Sequence, residues 1–394
     1  MVNLSVEIAG ITFKNPLIVA SGTPTLNKDN MLKCIKAGAA GLVTKTVTYS
    51  KLYQQQPRPR FKVIHPKQAI RGGYFSLYSV ELMSPYDPIT WARQLKVVKE
   101  EAKRNKTVVI ASIAGRNLNE WERLAKLAEN SGADMIELNL SCPHVEEEEE
   151  TLMGKAITAK SEVLENVIKT VKSSVSIPIV GKLTPHGVNP LNLALISERA
   201  GIDAIVATAR FQGLIIDVET MKPILWGGFG GYGGSWMVPI SCGWVAKIAL
   251  HGVKVPIIGS GGISNYKDVL KFLMVGAKAT QMCTIIIVQG FKIISEMISD
   301  IKKWLYERGI DDINEIVGKA LGNIITLKDL DRRTRYRAVV DNEKCTLCGI
   351  CKRVCFYNAI RYIDGRIRVD HNTCDGCGLC VSLCPQNAIR LEKV

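Results

Sequence analysis

The densest chemistry in the sequence lies near its end. "CTLCGICKRVC" carries Cys345, Cys348, Cys351 and Cys355, and "CDGCGLCVSLCP" carries Cys374, Cys377, Cys380 and Cys384. Both runs have the spacing Cys-x2-Cys-x2-Cys-x3-Cys. That spacing lets three thiolates wrap one iron–sulfur cubane on a tight turn, while the fourth sits on the following helix and reaches the other cluster. By this rule Cys345, Cys348, Cys351 and Cys384 hold one [4Fe-4S] cluster, and Cys374, Cys377, Cys380 and Cys355 hold a second. A structural zinc site needs two separated pairs, which these closely spaced sulfurs do not form.

A different cysteine stands alone in "NLSCPHVEEEEET", residues 139–151. A thiol can donate or remove a proton if its pKa is near working pH and it reaches the reacting atom. The commoner fate of such a residue is to be a small buried hydrophobe, and the residue types leave both readings of Cys142 open. Ser141 and His144 flank it, and histidine titrates near neutrality. The run Glu146–Glu150 repels itself and resists packing, so a solvated, mobile loop is expected there.

These residues need elements to position them, and the alternation along the chain supplies them. "NPLIVASG", "AGLVTKT", "TVVIASIAG", "DMIELNLSC", "IPIVGKLTP", "DAIVATA", "VPIIGSGG" and "ATQMCT" are short apolar runs, with helical-period segments such as "WERLAKLAENSGAD" and "YKDVLKFLMVGAK" among them. Near-continuous apolar strands alternating with amphipathic helices indicate a parallel sheet, and eight of them indicate an α/β fold of the closed (β/α)8 TIM-barrel type. "LSVEIAGITFKNP" reads as a hairpin closing the barrel floor. The barrel is expected over 1–330 and the cysteine-dense unit, a bacterial-type two-cluster ferredoxin domain, over 331–394.

Chemistry in such barrels lies at the C-terminal strand ends. Those ends carry Ala20, Ser21, Lys45, Thr46, Asn139, Cys142, Lys182, Gly261, Gly262, Cys283 and Thr284. "GSGGIS" after strand seven suits a phosphate, because small residues let backbone N–H groups approach an anion at a helix N-terminus. "WGGFGGYGGSW" is a glycine-rich loop that either adds to that cradle or packs closely.

Composition narrows the classes. The chain has 394 residues, 47% hydrophobic and 22% charged, enough for a large core and a smaller unit. Its twelve cysteines are read as metal or redox ligands rather than disulfides, since "MVNLSVEIAG" lacks a basic start and an apolar run. A cytoplasmic location is expected. No run of 18 uncharged apolar residues occurs, so no membrane span is expected. The formal charge of +14 is spread along the chain and is not interleaved with aromatics, which favours docking of acidic redox partners over nucleic acid. No strand-linked GxGxxG appears, so no dinucleotide domain is expected.

"IASIAG", "SGADMIELNLSCPH", "GKLTP" and "GSGGIS", followed by the two cysteine runs, resemble the FMN half of the dihydropyrimidine dehydrogenases and their bacterial FMN/iron–sulfur subunits. They resemble more loosely the class 1 dihydroorotate dehydrogenases. The resemblance covers nearly the whole chain in order. It implies FMN and two [4Fe-4S] clusters, and reduction or oxidation of a pyrimidine ring C=C bond. Hydride would move at flavin N5, the proton through Cys142 as general acid/base with Ser141 and His144 tuning or relaying it, and electrons through the clusters.

On the same resemblance Lys45, Asn139 and Lys182 contact the flavin, with Lys182 at its N1/C2 edge. Ala20, Ser21, Thr46, Gly234, Gly261, Gly262, Cys283 and Thr284 line its ring and phosphate, and Asn139 also faces the substrate. External partners would be a ferredoxin or a separate NAD(P)H-oxidising FAD subunit, in a homo-dimer or hetero-oligomer. Alternatives are a dihydroorotate dehydrogenase of pyrimidine biosynthesis or reduction of another unsaturated, anionic substrate.

The sequence departs from the family pattern in the substrate pocket. An Asn-Thr or Asn-Ser pair is expected after strand six to hold the ring amides, and "ATARFQG" has Ala209 and Arg210 instead. A pyrimidine-binding Asn is expected near "GGYFSLYSVE", which offers Ser76 or Ser79. Losing such partners removes discrimination by orders of magnitude, and Arg210, if turned inward, suits a carboxylate or phosphate.

Overall fold

The computed structural model describes residues 2–142 and 152–394. They form two compact units, Met1–Gly322 and Asn323–Val394. In the first, eight strands close a parallel barrel in chain order: β1 (Leu17–Val19), β2 (Gly41–Val43), β3 (Val108–Ile113), β4 (Met135–Asn139), β5 (Ile179–Lys182), β6 (Ala204–Ala207), β7 (Ile257–Ser260) and β8 (Ala279–Met282). They coincide with the eight apolar runs read from the sequence. All six positions of β3 are buried, because barrel side chains fill one face and helices cover the other.

The outer helices are set by caps and by period. Asn117 caps Leu118–Asn130 by accepting a hydrogen bond from the Glu120 N–H, and Trp121, Leu124, Ala125 and Ala128 form its buried stripe. Asn265 caps Tyr266–Met274 in the same way through the Lys267 N–H. The expected floor hairpin pairs Val6–Ile8 with Ile11–Phe13. Phe13 is fully buried beneath β2, where a Cβ on Gly41 would come 2.8 Å from its ring.

A four-stranded antiparallel sheet was not foreseen. It runs Phe211–Gly213, Gly230–Gly234, Ser76–Ser79, Phe61–Ile64, drawing two strands from the excursion after β2 and two from that after β6. The glycine-rich segment is therefore partly a strand, its Gly231 paired with Ser79 and its Gly234 with Ser76.

In the second unit Tyr336–Val340 pairs with Ile389–Lys393 and Ile360–Ile363 with Arg366–Val369, with short helices at Ile350–Arg353 and Leu379–Leu383. Its apolar core is small: Ala338, Cys351, Ile360, Ile367 and Ile389.

Candidate active site

Strand register gathers the sequence-predicted side chains at one mouth. Asn139 lies opposite Lys182 across β4 and β5, and Ser260 opposite Gln281 across β7 and β8. A cavity opens there. Ala20, Ser21, Lys45 and Thr46 line it from the ends of β1 and β2, and Asn139, Ser141 and Cys142 from the end of β4. Lys182, Gly261, Gly262, Cys283 and Thr284 complete the ring from β5, β7 and β8, and Arg210 after β6 is turned inward.

Gly234 and Ser76 are not on that lining. Gly234 backs the cradle: a Cβ on Gly262 would come 2.5 Å from the Gly234 carbonyl oxygen. Ser76 is buried in the sheet, opposite Gly234 and Ile64. Ser79 instead accepts a hydrogen bond from Arg210. His144 and the glutamates Glu146–Glu150 lie outside the described residues.

Three polar networks hold the wall. Lys45 Nζ sits 2.9 Å from Glu81 Oε1, both side chains being less than a tenth exposed, and Thr23 Oγ1 donates to the same oxygen at 2.8 Å. Burial pushes the Glu81 carboxyl up, but the Lys45 ammonium and the Arg210 guanidinium outweigh it and bring it down to about 2. Lys182 Nζ donates to Gln281 Oε1 at 2.8 Å, and Gln281 Nε2 donates to Glu137 Oε2 at 2.7 Å. Glu137 Oε1, 3.8 Å from Lys182 Nζ, has no hydrogen-bond partner among the described residues. Asn139 Nδ2 donates to Thr46 Oγ1 at 3.1 Å, while Ser141 N–H and Oγ–H both donate to Asn139 Oδ1 at 3.3 Å.

Cys142 is 9% exposed, shielded from bulk water yet open to a molecule in the cavity. Cys283 is a different case, since burial and the nearby Glu81 push its thiol up to about 11. Burial also pushes Cys34 and Cys242 up to about 12, and neither lines the cavity.

Glu81, Glu137 and Gln281 were missed from sequence. Glu137 stands two residues before Asn139, so the two-residue strand period puts both on the inner face, a signal that was available. Glu81 sits in the excursion after β2, where no period announces it.

The cavity suits FMN by its own features. Gly261 and Gly262 have φ of +118° and +86°, a conformation side chains rarely adopt, so their backbone is bare toward an anion. Lys45, Lys182 and Asn139 offer donors for a ring with several acceptor atoms. In the second unit one hollow is ringed by Cys345, Cys348, Cys351 and Cys384, and another by Cys355, Cys374, Cys377 and Cys380. Four sulfurs spaced around a hollow in this way suit a cubane. Backbone N–H groups of Ala359 and Ala388 donate to the sulfurs of Cys355 and Cys384 at 3.4 and 3.2 Å.

The family model described as dihydroorotate dehydrogenase matches residues 3–305, and that described as 4Fe-4S dicluster domain matches 338–391. The chain belongs to the dihydroorotate dehydrogenase family. It is 30% identical over 361 residues to the NAD-dependent dihydropyrimidine dehydrogenase subunit PreA of Escherichia coli (strain K12), covering 90% of this chain and 85% of that protein. It is 34% identical over 320 residues to the dihydroorotate dehydrogenase B (NAD(+)) catalytic subunit of Pyrococcus abyssi, covering 81% and 99%. The corresponding subunit of Thermococcus kodakarensis is 35% identical over 327 residues, covering 81% and 98%.

As a member of the dihydroorotate dehydrogenase family the protein is an oxidoreductase acting on CH–CH groups, with FMN and two [4Fe-4S] clusters as cofactors. The relatives are subunits of larger enzymes, which agrees with a hetero-oligomer acting on a small molecule. No described helix is long and apolar enough to cross a membrane.

Proposed function

We propose that the protein reduces, or in reverse oxidises, the ring C=C bond of a pyrimidine or a closely related heterocycle, with Cys142 moving the proton. FMN, when bound, supplies the hydride exchange and connects it to one-electron carriers. The observation that supports the reading is that Cys142 lines the same cavity as Asn139, Lys45 and Lys182. In the reducing direction the thiol gives its proton to the carbon beside the one that gains hydride, and regains it from solvent. Asn139, held by Thr46 and Ser141, orients ring or substrate amides. Lys182, steadied by Gln281, stabilises negative charge at the edge of the cofactor.

Two electrons per turnover must enter or leave through the clusters, by way of a ferredoxin or a separate NAD(P)H-oxidising FAD subunit. Dihydroorotate oxidation is the second reading, favoured by 34–35% identity to dihydroorotate dehydrogenase B catalytic subunits. The test is anaerobic reduction of the purified protein followed by uracil, thymine, orotate or simple unsaturated acids, monitoring flavin reoxidation. A pyrimidine should reoxidise the wild type; silence with every pyrimidine removes the proposal.

A further inference from the structure

The hairpin that pairs Ile360–Ile363 with Arg366–Val369 has two faces of opposite character. Its turn, Asp364–Gly365, has φ of +49° and +74°, the two positive values of the tight turn that matches strand twist. That pins the register, and with it the face each side chain takes. On the inner face Ile360 and Ile367 are buried. Ile360 lines the hollow of Cys355, Cys374, Cys377 and Cys380, and Ile367 that of Cys345, Cys348, Cys351 and Cys384. The hairpin is therefore a wall one strand thick, common to both cluster sites.

Its outer face is cationic. Arg361 stands directly opposite Arg368, and Arg366 opposite Ile363, so three exposed arginines share that face. Like charges directly opposed weaken a strand pair. Asp364, in the turn, is the hairpin's one acid. Among the described residues the ion pairs of this unit are Lys344–Asp341 and Arg390–Glu392, on other segments, so the three arginines keep their full charge toward solvent.

We infer that this arginine face is the docking surface for a small acidic electron-carrier protein. Guanidinium forks match the carboxylates of such a partner, and opposite charge speeds their encounter. A carrier seated there is separated from both clusters by a single layer of chain. The face carries no aromatic ring for a base to stack on, which favours a protein over a nucleic-acid strand. The inference rests on the reaction proposed above. Each reduced carrier gives up one electron and is oxidised, so two are consumed for every C=C bond that takes up two electrons and two protons.

The test titrates the full FMN- and cluster-loaded chain with an acidic [2Fe-2S] ferredoxin by calorimetry, at about 50 and about 300 mM salt. Stopped-flow absorbance follows electron transfer from the photoreduced carrier. Wild type should bind at low salt and lose roughly tenfold in affinity at high salt. The triple variant Arg361→Gln, Arg366→Gln, Arg368→Gln should bind roughly 5–50-fold more weakly at low salt, the size of three exposed charge pairs, mostly through a slower association. Lysine at the same three positions should restore most of the loss. Lys96→Gln, Lys267→Gln, Lys302→Gln removes the same charge from exposed positions of the barrel unit and should stay within about twofold of wild type. Iron at about eight atoms per chain and unchanged reduction by dithionite would show the clusters intact. Should the triple change cost iron, the single Arg361→Gln, which relieves the opposed pair, decides by the same readouts.

Any of four results would overturn the surface: no binding of the ferredoxin at low salt, equal weakening by the barrel-unit variant, binding that ignores salt, or equal binding of basic cytochrome c. Displacement of the carrier by single-stranded DNA that wild type binds more tightly would reassign the face to nucleic acid. Arginine-dependent docking and electron transfer, with no pyrimidine reoxidising the flavin, would uphold the surface and sink the proposed reaction instead.

Discussion

Lys45 and Glu81 form an ion pair at 2.9 Å with both side chains shut away from water. They sit 36 residues apart and tie the end of β2 to the excursion that follows it. Removing one partner strands the other charge in a low-dielectric wall, which costs about 3–5 kcal/mol.

Glu81→Gln should therefore lower barrel stability by about that much at neutral pH. All six tryptophans lie in the barrel unit, so their fluorescence in a urea titration reports on it. The sign with pH follows from the carboxyl being held at about 2 against an ordinary 4.5. Its contribution is complete above about 4.5 and is lost as pH falls toward about 2, so the gap between wild type and Glu81→Gln should close across that window. A gap that stays constant would remove Glu81 from the account.

Lys182 is aimed by Gln281 and backed by Glu137, whose free oxygen lies 3.8 Å away. If its ammonium stabilises reduced flavin, Lys182→Met should lower the two-electron potential by roughly 30–60 mV, the equivalent of one charged hydrogen bond. Dye-coupled photoreduction measures this, and an unchanged potential would place Lys182 away from the cofactor edge.

Cys142→Ala should cut turnover by roughly 10²–10⁴, the usual share of a general acid. Reduction of the clusters by dithionite should be unaffected, since their ligands lie in the other unit. Turnover surviving intact with every substrate would return Cys142 to the class of buried apolar thiols.

The cluster hollows interleave the two cysteine runs. Cys355→Ser should cost the cluster held with Cys374, Cys377 and Cys380, lowering iron from about eight to about four atoms per chain while one cluster signal persists. Because five small or medium side chains are the unit's apolar core, removing all iron should unfold residues 323–394. Limited proteolysis would show it, with barrel fluorescence unchanged.

The eight strands were legible because barrel strands covered on both faces read as unbroken apolar runs such as Val108–Ile113. The cluster ligands were legible because their pairing follows local spacing. Glu137 was legible in principle, two residues from Asn139 on one strand. Its bond to Gln281 was not, being made across 144 residues, and the four-stranded antiparallel sheet joins excursions that carry no common period.

By itself, then, the sequence determined the barrel, the two cysteine sets and the strand-end residues, because each is written in short-range pattern: alternation, capping and fixed spacing. Whether Arg210 faced the cavity depended on the glycine strand beneath it and on Ser79, 131 residues away. Only the tertiary structure decided that, since the direction of a long charged side chain is set by which distant backbone leaves room for it and which distant oxygen receives it.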